Sequence, residues 1–221
     1  MLVTRVLSAL VLAPIAIAAV YFDGWLFRAF WAIAAAAVLW EWVGLVGLRN
    51  YGWVFAGLLY ALAMFLAPVV LREDAHFGMT AIFLLFAIVW TTDIVGYFAG
   101  RAIGGPKLAP SISPKKTWSG AIAGLAVAVL IVVLATRFVP QAKIGVLVIL
   151  TIVLSVVSQA GDLAESALKR RFDAKDASQI IPGHGGVMDR LDGFWAAVLC
   201  AAIIGVAHGG FPEPGRGLLI W

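Results

Sequence analysis

Cysteine and histidine are nearly missing from this 221-residue chain, which has one of the first and three of the second. The lone thiol, Cys200, excludes an intrachain disulfide, and its place in an apolar run reads as a small buried hydrophobe. Three scattered histidines beside one thiol do not make a zinc site. Charge is scarce too: Asp, Glu, Lys and Arg make up 13% of the residues, against roughly 25% in an ordinary soluble domain. No GxxxxGK[ST] occurs, which sets a P-loop nucleotidase aside. An internal repeat, a low-complexity linker and room for a separate soluble domain are equally lacking, so residues 1–221 read as one domain.

What the chain has instead is apolar length. Hydrophobic residues make up 63% of it and its mean hydropathy is +1.01, so the bilayer is the solvent to reason with. The runs predict an all-α, polytopic integral membrane protein with about seven spans, near 6–22, 25–46, 52–71, 77–99, 118–137, 143–161 and 190–208. The first span resembles a signal peptide in its Arg5, apolar centre and Ala16-Ile17-Ala18; we read it as uncleaved. With seven spans, one side of the membrane holds Arg5, Arg49, Arg101, Lys107, Lys115, Lys116, Lys169, Arg170, Arg171, Lys175 and Arg190. The other holds only Arg28, Arg72, Arg137, Lys143 and Arg216. By the positive-inside rule the richer side, with both long polar connections, is cytoplasmic. The net charge of +4 could suggest nucleic acid, but basic residues beside apolar segments fit anionic lipid or a phosphate-bearing substrate better. The tail GGFPEPGRGLLIW reads as an irregular end.

Three clusters could carry chemistry. In SVVSQAGDLAESALKRRF, Ser155, Gln159, Asp162, Ser166 and Lys169 recur at spacings of three and four, one face of a helix if the sixth span continues outward. Hydrogen-bonded Ser and Gln in a packing stripe would explain the pattern except for Asp162, since a carboxylate at membrane depth costs about 2–3 kcal/mol or more unless paired or metal-bound. In HGGVMDRLDG, Asp189 and Asp192 face one way if a helix begins near Asp189, where its dipole favours acids. Asp as a cap with Arg190 as a membrane anchor is the plainer reading, but Pro182, Gly183, Gly185 and Gly186 crowd the approach, and such glycines let backbone amides meet an anion. The third cluster, GRAIGGPKLAPSISPKKTWSG, offers Lys115 and Lys116, which are either boundary anchors or ligand groups. Upstream of it lie Asp93, an intramembrane acid that could pair with Arg101, and the small-residue face of Gly96 and Gly100, which suits close helix packing. Acids, bases and glycines meeting on one face are an inventory for handling phosphates with a hard cation. From the residues, the reading is a membrane enzyme of phosphoryl or nucleotidyl transfer.

The stretch SALKRRFDAKDASQIIPGHGGVMDRLD, Ser166 to Asp192, resembles the signature of the phosphatidate cytidylyltransferases, also called CDP-diacylglycerol synthases. The pattern S-x-x-K-R, then K-D, then P-x-H-G-G-x-x-D-R-x-D is filled by Ser166, Lys169, Arg170, Lys175, Asp176, Pro182, His184, Gly185, Gly186, Asp189, Arg190 and Asp192. SQAGDLAES, DIVGYFAGRAIGG and SPKKTWSG extend the likeness over about residues 90–193. Ser119 stands where many relatives have Glu or Gln, and the N-terminal half is shorter than in many of them.

The resemblance implies a reaction in which CTP and phosphatidate give CDP-diacylglycerol and pyrophosphate in phospholipid biosynthesis. It implies that Asp162, Asp189 and Asp192 hold one or two Mg²⁺ or Mn²⁺ ions and, with Lys169, form the catalytic set. Lys115, Lys116, Ser166, Arg170, His184, Gly185, Gly186 and Arg190 would bind substrate. The expected partners are CTP, phosphatidate and membrane lipids, with a homodimer compatible and nucleic acid not expected; the expected location is a bacterial inner membrane. A CDP-alcohol phosphatidyltransferase is excluded, because it needs D-G-x-x-A-R with later aspartates, and this chain has DGFWAA and no Asp after 192. Other lipid nucleotidyltransferases and polyprenol-type kinases share the inventory. In a different class, a transporter with a cytoplasmic anion site should show broken helices near the midplane.

Overall fold

The computed structural model describes residues 2–139, 141–181 and 185–221, with side chains from residue 10 onward. Apolar runs become helices because a chain in hydrocarbon must satisfy its own backbone. They are α1 (Leu2–Phe22), α2 (Gly24–Val46), α3 (Tyr51–Arg72), α4 (Gly78–Ile103), α5 (Trp118–Ala135), α6 (Ile144–Arg171), α7 (Met188–Gly209) and α8 (Pro214–Leu219). Among the described residues, α2 to α7 are the six helices long and apolar enough to cross a membrane, and α1 adds a shorter apolar stretch, Leu10–Phe22. The protein is thus a polytopic all-α membrane protein, with six spans meeting that standard where about seven are expected. The sixth span does continue, reaching Arg171 as one helix of 28 residues.

Two elements depart from expectation. Between α4 and α5 a small antiparallel hairpin forms from β1 (Lys107–Ala109) and β2 (Ser113–Thr117), with Lys107 opposite Thr117 and Ala109 opposite Ser113. Strands of three and five residues leave no period to read in a sequence. Thr117 then caps α5, its hydroxyl accepting from the Gly120 N–H at 3.2 Å. The tail, expected to be irregular, folds back as α8 against α7, burying Leu218 and Leu219. Gly205 and Gly209 permit this, because a Cβ on either would run into the α8 backbone around Pro214 and Gly217.

The expected small-residue face is real. A Cβ on Gly120 would collide with the Gly96 carbonyl, and one on Gly124 with the Thr92 carbonyl, so α4 and α5 touch backbone to backbone. On the opposite side from the hairpin, Asp74 fixes the chain reversal between α3 and α4. Its Oδ1 accepts from the His76 and Phe77 N–H groups at 3.0 and 2.8 Å, and its Oδ2 from the Arg216 N–H at 2.7 Å, tying α8 down.

Gly124→Val is expected to destabilise the protein by about 1–3 kcal/mol or more through overpacking, read as a lower thermal inactivation temperature in detergent. A second expectation concerns acid. Burial opposes ionisation of Asp74, but the N–H groups of Phe77, Arg216 and His76, with the charge of His76, outweigh it and hold the carboxyl below its ordinary range. A carboxyl lowered in the folded state contributes stability above its unfolded value, about 4, and loses it as pH falls through the folded value. Thermal stability should therefore drop as pH falls below about 4, and drop less in Asp74→Asn.

Candidate functional site

Helix α6 carries its polar residues on one face, and Ser155, Asp162 and Lys169 each find a partner on a different element. Deepest, Ser155 meets Thr92 of α4 at 2.9 Å, and Gln159 donates to Ser155 at 3.4 Å. Next, Asp162 pairs with Lys116 of the hairpin and accepts from Ser166 at 3.4 Å. Outermost, Lys169 donates to Glu165 at 2.9 Å and to Asp189 of α7 at 2.5 Å. The stripe therefore faces inward, as a polar stripe in hydrocarbon must, and stitches α4, the hairpin and α7 together.

These elements wall a cavity of about 820 Å³. Its lining brings Asp93, Arg101, Lys115, Lys116, Asp162, Lys169, Asp189, Arg190 and Asp192 to one place, so the two polar connections share one aqueous side as expected. Lys107 and Asp176 join them, giving six basic and five acidic side chains. Lys115, Arg190 and Asp93 are exposed toward this space, whereas Lys169, Glu165 and Asp189 are buried. Asp93 is therefore open to the cavity and not packed away. Nor does it pair with Arg101, which donates to the Tyr97 hydroxyl at 3.2 Å.

The glycines have an intramolecular role. Gly185 has φ +84°, and a Cβ there would press on Asp189 Oδ2 at 2.8 Å. A Cβ on Gly186 would sit 2.7 Å from both carboxylate oxygens of Glu41. Space attributed from sequence to a ligand is thus filled by the protein's own acids. Asp189 accepts at Oδ1 from Lys169 and at Oδ2 from the Ala177 and Gly186 N–H groups, at 3.0 and 2.8 Å. With both oxygens engaged it holds Lys169 and the loop. Arg170, expected to bind substrate, is exposed and donates to the Ala174 carbonyl at 2.8 Å, just past the end of α6. Ser166, also expected to bind substrate, donates to Asp162 at 3.4 Å. Ser119 donates to the Gly104 carbonyl and so braces the hairpin. Pro182 and His184 lie outside the described residues.

Two acids escaped the sequence reading. Glu165 is four residues before Lys169, a spacing that advertises a helical ion pair. Glu41 is a lone acid inside an apolar span, which by itself marks a position where hydrocarbon must be answered by a partner.

Among the described residues, no three His, Cys, Asp or Glu side chains form a ready-made cage for an ion. Asp93, Asp162 and Asp192 nonetheless line one cavity with hard oxygen donors. Mg²⁺ takes one or two carboxylates and completes its shell with water and substrate phosphate; this donor set fits such an ion.

Fold and site define a membrane protein with a mixed-charge cavity at one end of its spans. The profile of the cytidylyltransferase family matches residues 50–207, and the chain belongs to that family. A Brucella abortus protein named phosphatidate cytidylyltransferase is 52% identical over 163 residues, which cover 74% of this chain and 59% of that protein. Proteins of the same name from Bacillus subtilis and Rickettsia bellii are 41% and 35% identical, over 65% and 93% of this chain and 54% and 90% of their own lengths. The chain thus spans under two thirds of the Brucella and Bacillus proteins and most of the Rickettsia one.

Lys169 is 9% exposed between carboxylates 4% and 5% exposed. Removing one partner from a buried cluster leaves charge uncompensated, so Lys169→Met should cost about 3–5 kcal/mol, while the exposed Lys115→Met should cost under about 0.5 kcal/mol. Thermal unfolding of both variants in the same detergent checks this, and adding Glu165→Gln to Lys169→Met should restore part of the loss.

Proposed function

We propose that this protein transfers CMP from CTP to phosphatidate, giving CDP-diacylglycerol and pyrophosphate, at a site on the cytoplasmic side of a bacterial inner membrane. The observation that carries the reading is the convergence of both polar connections on one cavity at the end of the spans, in a chain of the cytidylyltransferase family. The excess of Lys and Arg on that side supports its orientation.

A phosphate oxygen of the lipid attacks the α-phosphorus of CTP in line, and the bond to the β-phosphate oxygen breaks, releasing pyrophosphate. The attacking monoester is already anionic, so no strong general base is needed, and catalysis is positioning plus charge stabilisation. Lys115, Lys116, Lys107 and Arg190 are free enough to meet phosphates, whereas Lys169 is held by two carboxylates and sets the wall of the site. With six basic and five acidic side chains the cavity is close to neutral, so a triphosphate and a lipid phosphate bring more negative charge than it can answer alone. Mg²⁺, held by Asp162 and Asp192, would supply that missing neutralisation. Lys116 pairs with Asp162 while both are about a quarter exposed; a phosphate that drew Lys116 away would leave Asp162 as one of the carboxylates able to hold a cation.

Purified protein with phosphatidate, radiolabelled CTP and Mg²⁺ should give chelator-sensitive label in CDP-diacylglycerol and release pyrophosphate, with ATP inert as donor. Asp162→Ala and Asp192→Ala should each lower kcat by on the order of 10²-fold or more with thermal stability retained. Folded protein that yields no labelled lipid would refute the proposal.

A further inference from the structure

We infer that Glu41 of α2 is a positioning residue that clasps the glycine-bearing segment of the site and sets it for the nucleotide. Its side chain is 1% exposed and comes from outside residues 50–207, which carry the family match. The carboxylate accepts three hydrogen bonds: from the Ser178 hydroxyl at 2.6 Å, the Val187 N–H at 2.8 Å and the Met188 N–H at 2.7 Å. Val187 and Met188 begin α7, whose first N–H groups have no partner within their own helix. Among the described residues no Lys or Arg is paired with Glu41. A buried carboxylate answered only by N–H and O–H donors at a helix N-terminus is held by those donors and by the helix dipole. It therefore cannot let go of the segment without becoming a bare charge in an apolar wall.

The clasp is joined to the chemistry through one short run. Gly186 lies against both Glu41 oxygens, and its N–H donates to Asp189, which holds Lys169. Gly186 lacks a side chain because Glu41 occupies that space. Glu41 thus holds Ser178, Val187 and Met188 from the α2 side, while Asp189 holds Ala177 and Gly186 and reaches α6 through Lys169. Asp176 before the segment and Asp189 and Arg190 after it line the cavity, so a shift of the segment moves that wall; that the cavity takes CTP rests on the function proposed above, while the clasp itself does not.

Three full-length proteins decide the matter: wild type, Glu41→Gln and Glu41→Asp. Gln has the shape of Glu but turns an amide N–H₂ toward backbone donors, while Asp keeps the charge with a shorter reach. Hydrogen exchange at Val187 and Met188 should be at least about tenfold faster in Glu41→Gln, as when charge-assisted hydrogen bonds are lost. KM for CTP should rise about tenfold while KM for phosphatidate stays within about twofold, with Glu41→Asp between wild type and Glu41→Gln on both measures. A residue that only fills space would give the reverse order, with Glu41→Gln like wild type and Glu41→Asp worse, and that result overturns the inference. So does lost protection with an unchanged KM for CTP. If Glu41→Gln does not fold, Ser178→Ala removes one donor without touching the core and must shift exchange and KM in the same direction, or the inference fails. Wild-type protein without CTP-dependent turnover would refute the proposed function and the nucleotide role of Glu41 with it, while exchange would still decide the clasp.

Discussion

An ammonium group held between two carboxylates at the edge of hydrocarbon is the arrangement on which the rest of the site hangs. In surroundings of low dielectric neither Lys169 nor its partners Glu165 and Asp189 could stand alone. Asp189 is met further by the N–H groups of Ala177 and Gly186. Because those donors belong to the loop before α7, neutralising the cluster also places the loop. Charge balance, the packing of α6 on α7 and the course of the polar connection are thus one problem with one solution.

That locked cluster contrasts with the looser pair beside it. Asp162 and Lys116 are each about a quarter exposed, so water weakens their attraction and lets other partners compete. A fixed lysine cannot follow a substrate, while one on a two-stranded hairpin can. The division sets Lys169, locked between acids, apart from Lys107, Lys115 and Lys116, all on the hairpin that walls the other side of the cavity.

Much of this was legible in the sequence because membrane chemistry writes in large letters. Long apolar runs leave helices as the main option, and spacings of three and four in Ser155, Gln159, Asp162, Ser166 and Lys169 require one face whatever it packs against. What stayed hidden depends on contacts between distant segments. Nothing near Glu41 says that its partners are 137 to 147 residues away. Asp93 and Arg101, eight residues apart on one helix, suggested a pair, yet Tyr97 takes the guanidinium. The glycines before Asp189 were rightly seen as demanding close approach, but whether a ligand or a buried carboxylate approaches is settled only by the third dimension.

The length of α6 explains why the chemistry gathers where it does. Twenty-eight residues at about 1.5 Å each make a rod of about 42 Å, longer than the roughly 30 Å hydrocarbon layer. If the rod enters that layer near Ile144, about twenty residues use up its thickness, which brings Asp162 to the boundary and sets Ser166 to Arg171 beyond it. On the function proposed above, a lipid phosphate would meet the cavity at that same depth, with its tails behind it, while a nucleotide would arrive from water on the other side. A carboxylate much deeper would face the full cost of burial, and one much farther out would be screened by salt and water. The surplus of helix beyond the membrane is therefore the feature that would let one cavity serve the soluble and the insoluble phosphate of that proposal together.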